Sequence, residues 1–220
     1  MLRGYEEDRM DRFGIVRGKI KTEEFDYEGL IQALQHYKKP RDAITRFLRD
    51  GSIIRVKKGL YVFGDNYRRG VICKESLANL IYGPSYISLE YALSYYGLIP
   101  ERVEQLTSMT PLRSNTFHTP IGSFAYVHLL SRKMAVGVTL IEVDPQHKFL
   151  IATPEKAIAD RVSSYKNLIS TQDLYSYVCD GLRIEEEELA KMRMPLLKEI
   201  ESIYRNPAVT YLLELVKELS

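Results

Sequence analysis

The order of patterns in residues 26–63 constrains the fold of this chain more than any other feature. From Asp26 onward, apolar residues recur at helical spacing, and the Asp26 side chain is suited to cap the first turn. Pro40 begins a second helix, because proline in the first helical turn costs no intrahelical hydrogen bond, and Gly51 ends it. The next segment, SIIRVKKGLYVF, predicts two strands joined by a tight turn at Gly59. Helix, turn, helix and hairpin in this order predict a winged helix-turn-helix.

The second helix has two chemically different faces. At about 100° per residue, four apolar residues fall on the side that we expect to face the core. These residues are Ala43, Ile44, Phe47 and Leu48. The residues on the opposite side, which we expect to be exposed, are Asp42, Thr45, Arg46 and Arg49. The exposed face therefore carries two guanidinium groups and a hydroxyl.

Positive charge is concentrated in the same part of the chain. Residues 36–70 contain 10 Lys and Arg against 3 Asp, a net charge of +7, whereas residues 71–220 contain 15 basic against 18 acidic residues. A helix fits the major groove of B-form DNA, and cations on a protruding hairpin reach the flanking phosphates. We therefore predict double-stranded DNA as a partner, although a solvated basic face or a protein-binding winged helix has the same pattern. The predicted DNA-binding residues are Lys38, Lys39, Arg41, Thr45, Arg46, Arg49, Arg55, Lys57 and Lys58.

Residues 71–220 have a different character. A helix over KESLANLIYG, a short strand at 86–88 and a helix capped by Ser88 precede five β-rich segments. From Thr153, with Pro154 in the first turn, helical patterns continue to the C-terminus. We therefore predict an α+β chain: a winged helix-turn-helix domain at 1–68, and a mixed α/β domain with a helical C-terminal part at 71–220. Residues 5–21 are predicted to form a short helix and a connector.

The chain lacks the usual signatures of enzymes and metal sites. The motifs GxGxxG, GxxxxGK[ST], GxSxG and HExxH are absent, so we expect no enzyme activity and no cofactor. Cys73 and Cys179 are isolated, which argues against a disulfide framework and a zinc site. His118 and His128 are predicted on neighbouring strands without a nearby carboxylate, so we expect no metal there. No apolar run is long enough to span a bilayer and the first residues are charged, which predicts a cytoplasmic protein without membrane association.

Three charged residues near the start of the EKAIAD helix allow two interpretations. Glu155, Lys156 and Asp160 could form a nuclease-type carboxylate site. The simpler interpretation, which we favour, places Glu155 at the helix N-terminus, where the helix dipole stabilises its charge. Asp160 follows Lys156 by four residues, so the two side chains are then expected to pair on one helix face.

Four segments follow one another in a characteristic order: KKGLYVF, YISLEYALSYYGLIPE, FHTPIGSFAYVHL and IATPEKAIAD. The most specific parts are residues 88–101 and 153–157. This order resembles the AbiEi-type antitoxins of type IV toxin-antitoxin systems, and the resemblance covers nearly the whole chain. The segment 1–25 departs from the family in being longer and more charged.

The resemblance implies a bipartite protein. Its N-terminal winged helix would bind inverted repeats in its own promoter and repress the operon, and its C-terminal domain would be needed for antitoxicity in phage defence. The family's toxin is nucleotidyltransferase-like, and a stable complex with it is not required. By resemblance, DNA contact falls on Arg41, Thr45, Arg46 and Arg49 of the second helix and on Arg55, Lys57 and Lys58 of the wing. A homo-oligomer on DNA is compatible with this implication.

A second hypothesis makes the chain an interaction module. Here the C-terminal domain acts on a protein partner through its tyrosines, such as Tyr91, Tyr95 and Tyr96, and through the acidic run at 185–188. DNA affinity would then be incidental. Replacing Arg46 and Arg49 by alanine separates the two hypotheses, because only a repressor depends on those side chains.

Overall fold

The structure is a computed structural model that describes residues 13–165 and 167–220. The described residues divide into two compact units. Unit 1 comprises residues 13–81 together with Thr119–Ile121, and unit 2 comprises Tyr82–His118 and Gly122–Ser220. Unit 1 therefore extends past residue 68, at which the first domain was predicted to end.

Unit 1 is built from short helices and one antiparallel sheet. Its elements are α1 (13–19), β1 (Glu24–Asp26), α2 (Tyr27–Ala33), α3 (Pro40–Arg49), β2 (Ile53–Lys57), β3 (Leu60–Phe63) and α4 (Lys74–Ile81). The sheet order is β1-β3-β2, so β3 is central, with Phe25 of β1 opposite Tyr61 and Ile54 of β2 opposite Val62. The two helices between β1 and β2 and the hairpin β2–β3 confirm the predicted element order.

Aromatic rings hold the core of unit 1 together. Phe13 of α1 meets Phe47 of α3 with ring centroids 4.5 Å apart, and Phe63 of β3 lies 4.5 Å from Phe25 of β1. All four side chains are buried. Burying a phenylalanine contributes about 1.5–3 kcal/mol, so these contacts stabilise α1, α3 and the sheet as one body.

Local signals in unit 1 act as the sequence predicts. The Asp26 carboxylate accepts a hydrogen bond from the Gly29 amide at 2.7 Å, and Pro40 occupies the first turn of α3. Gly59 in the hairpin turn has φ +87°, which a residue with a Cβ rarely adopts. Two features were not predicted: the strand β1, and the end of α2 at Ala33, where tighter turns begin. Of the predicted segment 5–21, residues 5–12 lie outside the described part, and 13–19 are helical.

Unit 2 is centred on a six-stranded mixed sheet. Its strands are β4 (Tyr86–Ile87), β5 (Leu106–Thr110), β6 (Asn115–Thr119), β7 (Gly122–His128), β8 (Val138–Glu142) and β9 (Lys148–Ala152). The order across the sheet is β6-β7-β5-β4-β9-β8, with β5 parallel to β7 and β4 parallel to β9. All six strands were predicted, because alternation and turn residues mark each of them; their order was not.

The remaining helices of unit 2 flank this sheet and form the C-terminal part. They are α5 (Leu89–Tyr95), a 3₁₀ turn (Ser131–Lys133), α6 (Pro154–Ser163), α7 (Thr171–Tyr175), a π-helical turn (Ser176–Gly181), α8 (Glu186–Ala190), α9 (Met194–Tyr204) and α10 (Pro207–Leu219). Helix α10 contacts α6, α7, α8 and α9. The Thr153 hydroxyl caps α6 by accepting from the Lys156 amide, and Gly97 follows α5 with φ +70°.

The chain therefore has an α+β fold with a helical C-terminal part. Ser88 departs from its predicted role, because it stands at the cap position of α5 but makes no capping hydrogen bond there. The acidic residues 185–187 are exposed and lie at the N-terminal end of α8. Among the described residues, no helix has the length and hydropathy needed to cross a membrane.

Candidate nucleic-acid interface

Helix α3 presents a cationic face to solvent. Ala43, Ile44 and Phe47 are buried on its inner side, and Leu48 is half-buried against the same core. This arrangement follows from the 3.6-residue period and confirms the predicted apolar face. On the outer side the exposed residues are Arg41, Asp42, Thr45 and Arg49. The Thr45 hydroxyl donates to the Arg41 carbonyl at 3.1 Å, so part of its hydrogen-bonding capacity is used within the helix.

Arg46 is less exposed than the helical pattern predicted. Its side chain is half-buried, and its guanidinium carbon lies 5.2 Å from the centroid of the Phe47 ring. The Nε atom is buried and has no hydrogen-bond partner among the described residues. Contact with an aromatic ring restricts a guanidinium while leaving its donors available. Arg46 is therefore partly held in place, unlike the exposed Arg49.

The turn before α3 and the helix itself border an open groove of about 1000 Å³. The groove brings together four of the nine predicted DNA-binding residues, Lys38, Lys39, Arg46 and Arg49. Its other lining residues are Ile15, His36, Tyr37, Asp42 and Ala43. Arg41 instead borders a neighbouring groove of about 570 Å³, together with Lys39, Pro40 and Tyr27. One groove thus combines four cations with apolar and aromatic surface.

The hairpin β2–β3 carries the other three predicted cations, which differ in their surroundings. Arg55 and Lys58 are exposed, and Lys58 occupies the turn next to Gly59. Lys57 departs from the prediction: its ammonium group donates a hydrogen bond to the Ile81 carbonyl and its side chain is half-buried. Burial also lowers the pKa of Lys57. Lys57 is therefore engaged inside unit 1, whereas Lys58 is available to a partner.

Six of the predicted cations are exposed and have no ion-pair partner within 13–165 and 167–220. These six are Lys38, Lys39, Arg41, Arg49, Arg55 and Lys58. Elsewhere in unit 1 cations do find partners: Arg17 is buried and pairs with Glu23 at 2.5 Å, and Arg68 pairs with Asp65 at 2.5 Å. Within the described residues, these six cations of α3, the preceding turn and the hairpin therefore form no ion pair.

Sequence reasoning missed two parts of this region. Ile15 of α1, which is 48% exposed, lines the groove next to the cations. The buried pair Arg17–Glu23 holds the segment after β3, because Glu23 also accepts from the Arg69 amide at 3.2 Å. The role of Ile15 could have been predicted from the presence of an apolar residue on the outer face of α1. The contact of Glu23 with the Arg69 amide could not, since it joins residues 46 positions apart.

Lys156 and Asp160 of α6 form a buried cluster in unit 2, whereas Glu155 pairs with Arg193. The Asp160 carboxylate accepts from the Tyr86 hydroxyl at 2.8 Å, from the Ser88 hydroxyl at 2.7 Å and from the Tyr204 hydroxyl. Lys156 lies 3.7 Å from Asp160 and donates to the Lys133 carbonyl at 2.5 Å. The distance of 3.7 Å confirms the predicted pairing of Lys156 with Asp160, and neither side chain has exposed surface. Ser88 fails to cap α5 because its hydroxyl is used here.

Burial shifts the ionisation of this cluster. Burial lowers the pKa of Lys156 to about 8, against the opposing effect of the Asp160 carboxylate. It also raises the pKa of Asp160, although Lys156 and the three hydroxyls stabilise the anion. For Glu155, burial is the largest influence and opposes ionisation, but hydrogen bonds from the Arg193 side chain at 2.9 and 3.1 Å, from backbone amides and from Thr153 together outweigh it and lower the pKa. The carboxylates are thus engaged by protein groups, which does not favour the nuclease interpretation.

The other candidate ligands do not assemble into a site. His118 contacts the Ser123 hydroxyl at 3.0 Å and His128 contacts the Leu112 carbonyl at 2.9 Å, so the two rings have separate partners. Cys73 and Cys179 are free thiols, both half-buried, and burial raises the pKa of each to about 11. Among the described residues, no group of three or more histidines, cysteines and carboxylates could hold a metal ion.

The tyrosines of α5 are also mostly engaged by the protein itself. The Tyr95 ring lies 5.4 Å from the Tyr96 ring and 5.9 Å from that of Phe149, both edge to face. Burial raises the pKa of Tyr96 to about 12. Tyr91 is half-buried and Tyr95 is exposed. Only part of this helix is therefore available as a stacking or docking surface.

Comparison with known proteins shows a similarity of fold. No family model matches the chain, and no curated protein matches it in sequence. Among solved structures, the crystal structure of the RV2827C protein from Mycobacterium tuberculosis is similar with a TM-score of 0.60. The match covers 93% of this chain and 75% of that chain, at 14% sequence identity. At this identity the similarity shows the fold alone, and it extends over nearly the full length of the chain.

Proposed function

We propose that unit 1 is a winged helix-turn-helix and that the chain is a cytoplasmic, DNA-binding transcriptional repressor of its own operon. The observation that carries this proposal is the set of six exposed cations on α3, the preceding turn and the hairpin, which have no ion-pair partner in the part of the chain that the structure describes. A solvated surface gains little from leaving so many like charges together, whereas DNA phosphates compensate them. The element order and the sheet order β1-β3-β2 support the assignment.

In the proposed complex, α3 enters the major groove of the DNA. Its inner face remains in the core while Arg46 and Arg49 reach base edges or phosphates. Arginine is suited to base edges because its planar donors bind guanine in a bidentate way. Arg55 and Lys58 on the hairpin, with Lys38 and Lys39 before α3, would contact phosphates and confer affinity without sequence discrimination.

We further propose that the chain is the antitoxin of a type IV toxin-antitoxin pair in phage defence. The toxin would be nucleotidyltransferase-like, and neutralisation would need no stable complex with it. The support is the sequence resemblance, whose two most specific segments lie at 88–101 and 153–157. Ser88 belongs to the first of these segments, and it bonds to Asp160 on α6, the helix that the second segment begins, at 2.7 Å.

Fluorescence anisotropy tests the repressor proposal. The purified chain is titrated onto its own upstream DNA and onto a shuffled duplex. We expect the upstream DNA to bind at least about a thousandfold more tightly, as specific sites do. Arg46→Ala/Arg49→Ala should remove that difference, because it removes the side chains proposed to read the bases. A double variant on another surface of the chain, Arg132→Ala/Arg205→Ala, should retain it.

Equal and weak binding to both duplexes would contradict the repressor proposal. The same result, combined with retained antitoxicity, would favour the interaction module that acts through unit 2. Antitoxicity is measured separately, by growth of cells that co-express the neighbouring nucleotidyltransferase-like gene. We expect Arg46→Ala/Arg49→Ala to restore growth as well as the unsubstituted chain does, since antitoxicity is assigned to the C-terminal domain.

A further inference from the structure

The strand β8 lies at one end of the six-stranded sheet of unit 2 and carries an apolar surface. Leu140 of β8 is directly opposite Leu150 of β9, and the two side chains are 51% and 41% exposed. Successive residues of a strand point to opposite faces, so Val138 and Glu142 share the face of Leu140. Within 13–165 and 167–220, this pair of leucines is open to solvent at an edge of the sheet.

The backbone of β8 also directs hydrogen-bonding groups toward that edge. At one end of the ladder, the Val143 amide donates to the His147 carbonyl at 3.0 Å. At the other end, the Thr153 amide donates to the Gly137 carbonyl at 2.8 Å. Bonded and non-bonded pairs alternate in an antiparallel ladder, so alternate residues of β8 point their amide and carbonyl away from β9. These outward-pointing residues are Val138, Leu140 and Glu142.

The edge lacks the features that usually prevent strands from pairing. Natural edge strands carry lysine, proline or bulges that block a second strand. The sequence of β8 is VTLIE, and its only charge, Glu142, is paired with Lys148 at 2.5 Å. The opposite edge strand, β6, instead exposes the polar side chains of Asn115, Thr116 and His118. The two edges of one sheet therefore differ, and only β8 is apolar.

We propose that β8 pairs with β8 of a second copy of this chain, antiparallel and around a two-fold axis at Leu140. In this register Leu140 lies opposite the partner's Leu140, and Val138 lies opposite the partner's Glu142. All three outward-pointing residues of each copy then exchange hydrogen bonds, which makes the strand complementary to itself.

The side chains of this register are also compatible. The four leucines at positions 140 and 150 of the two copies form one continuous row on the exposed face. The two Glu142 side chains are separated by four residue spacings, about 14 Å, so like charges do not meet. A second copy therefore satisfies the backbone, covers the leucines and avoids charge repulsion at the same time.

The expected association is weak. A five-residue strand with two leucines offers less than the roughly 800 Å² per partner of a stable protein interface. We therefore expect dimers to form at high concentration and to dissociate on dilution. The pairing needs no DNA, so this proposal does not depend on the repressor proposal.

Sedimentation velocity over a range of protein concentrations, without DNA, tests the pairing. The unsubstituted chain should shift from monomer to dimer, and Leu140→Lys should stay monomeric up to at least about tenfold higher concentration, because a lysine at an edge blocks pairing. Leu130→Lys is the matched control: Leu130 is 49% exposed in unit 2 but lies outside β8 and β9. Thermal unfolding followed by circular dichroism establishes that both variants are folded.

Disulfide crosslinking tests the register in a Cys73→Ser/Cys179→Ser background. Leu140→Cys should form a crosslinked dimer on oxidation, because opposite Cα atoms in a bonded pair are about 5.5 Å apart, within disulfide reach. Glu142→Cys should not, at about 14 Å. A chain that is monomeric at all concentrations, a Leu140→Lys variant that dimerises normally, or equal crosslinking at both positions would overturn the proposal.

Discussion

At the scale of single residues, we expect the loss of the Asp160 charge to destabilise the fold more than the loss of any exposed charge. Its buried carboxylate accepts from three hydroxyls and lies beside Lys156. Asp160→Asn should lower the free energy of unfolding by about 3–5 kcal/mol, because it leaves a buried ammonium without its counter-charge. Denaturant unfolding measures this loss. Lys191→Met is the matched control, since its exposed pair with Glu188 should contribute no more than about 1 kcal/mol.

The same cluster predicts a dependence of stability on pH. The pKa of Lys156 is about 8 in the folded chain and 10.5 when unperturbed, so between these values the unfolded chain holds more protons. Raising the pH through this window therefore favours the folded state at this residue. The stability of the unsubstituted chain relative to Lys156→Met should rise from pH about 7.5 to about 9.5. Urea unfolding at both pH values measures the difference, and a flat or falling difference would contradict the assignment.

At the scale of elements, the hairpin holds two neighbouring lysines for which we expect different roles. Lys58 is exposed in the turn, whereas Lys57 donates to the Ile81 carbonyl. Lys58→Ala should weaken binding to upstream and shuffled DNA alike and leave the melting temperature unchanged, because a phosphate contact carries no sequence information. Lys57→Ala should lower the melting temperature with a smaller effect on DNA affinity. Anisotropy measures the DNA affinity of both variants, and thermal melts measure their stability. Equal changes in affinity and in melting temperature for the two variants would contradict this assignment of roles.

At the scale of the whole molecule, the division of charge predicts a salt dependence. Residues 36–70 carry a net +7, with 10 basic and 3 acidic residues, while 71–220 carry 15 basic and 18 acidic residues. Each phosphate neutralised contributes a slope of about −0.9 to the plot of log affinity against log salt concentration. If the six exposed cations set the limit, the slope should be no steeper than about −5. Anisotropy between about 50 and 200 mM salt measures it, and a slope near zero would exclude phosphate contacts.

The sequence alone was sufficient to predict most of the helices and strands, with β1 as an exception, and to locate several of their ends. Asp26, Pro40, Gly59 and Thr153 each act through neighbouring residues, so the patterns around them contain the needed information. The cationic face of α3 follows in the same way from the helical period. The candidate interface could therefore be placed on α3 and the hairpin, before its geometry was known.

Only the tertiary structure decided what depends on residues far apart in the chain. It placed β4 beside β9, directed the Ser88 hydroxyl to Asp160, 72 residues away, and engaged Lys57 with Ile81, 24 residues away. Among the described residues, it also left the apolar edge of β8 without a neighbouring strand. The hydrophobic pattern and local hydrogen bonds determine whether a segment forms a helix or a strand. Which group a buried polar side chain bonds, and which strand lies at the edge of a sheet, depend on how the elements pack together. That choice is made by the whole chain, through the burial that a given arrangement achieves.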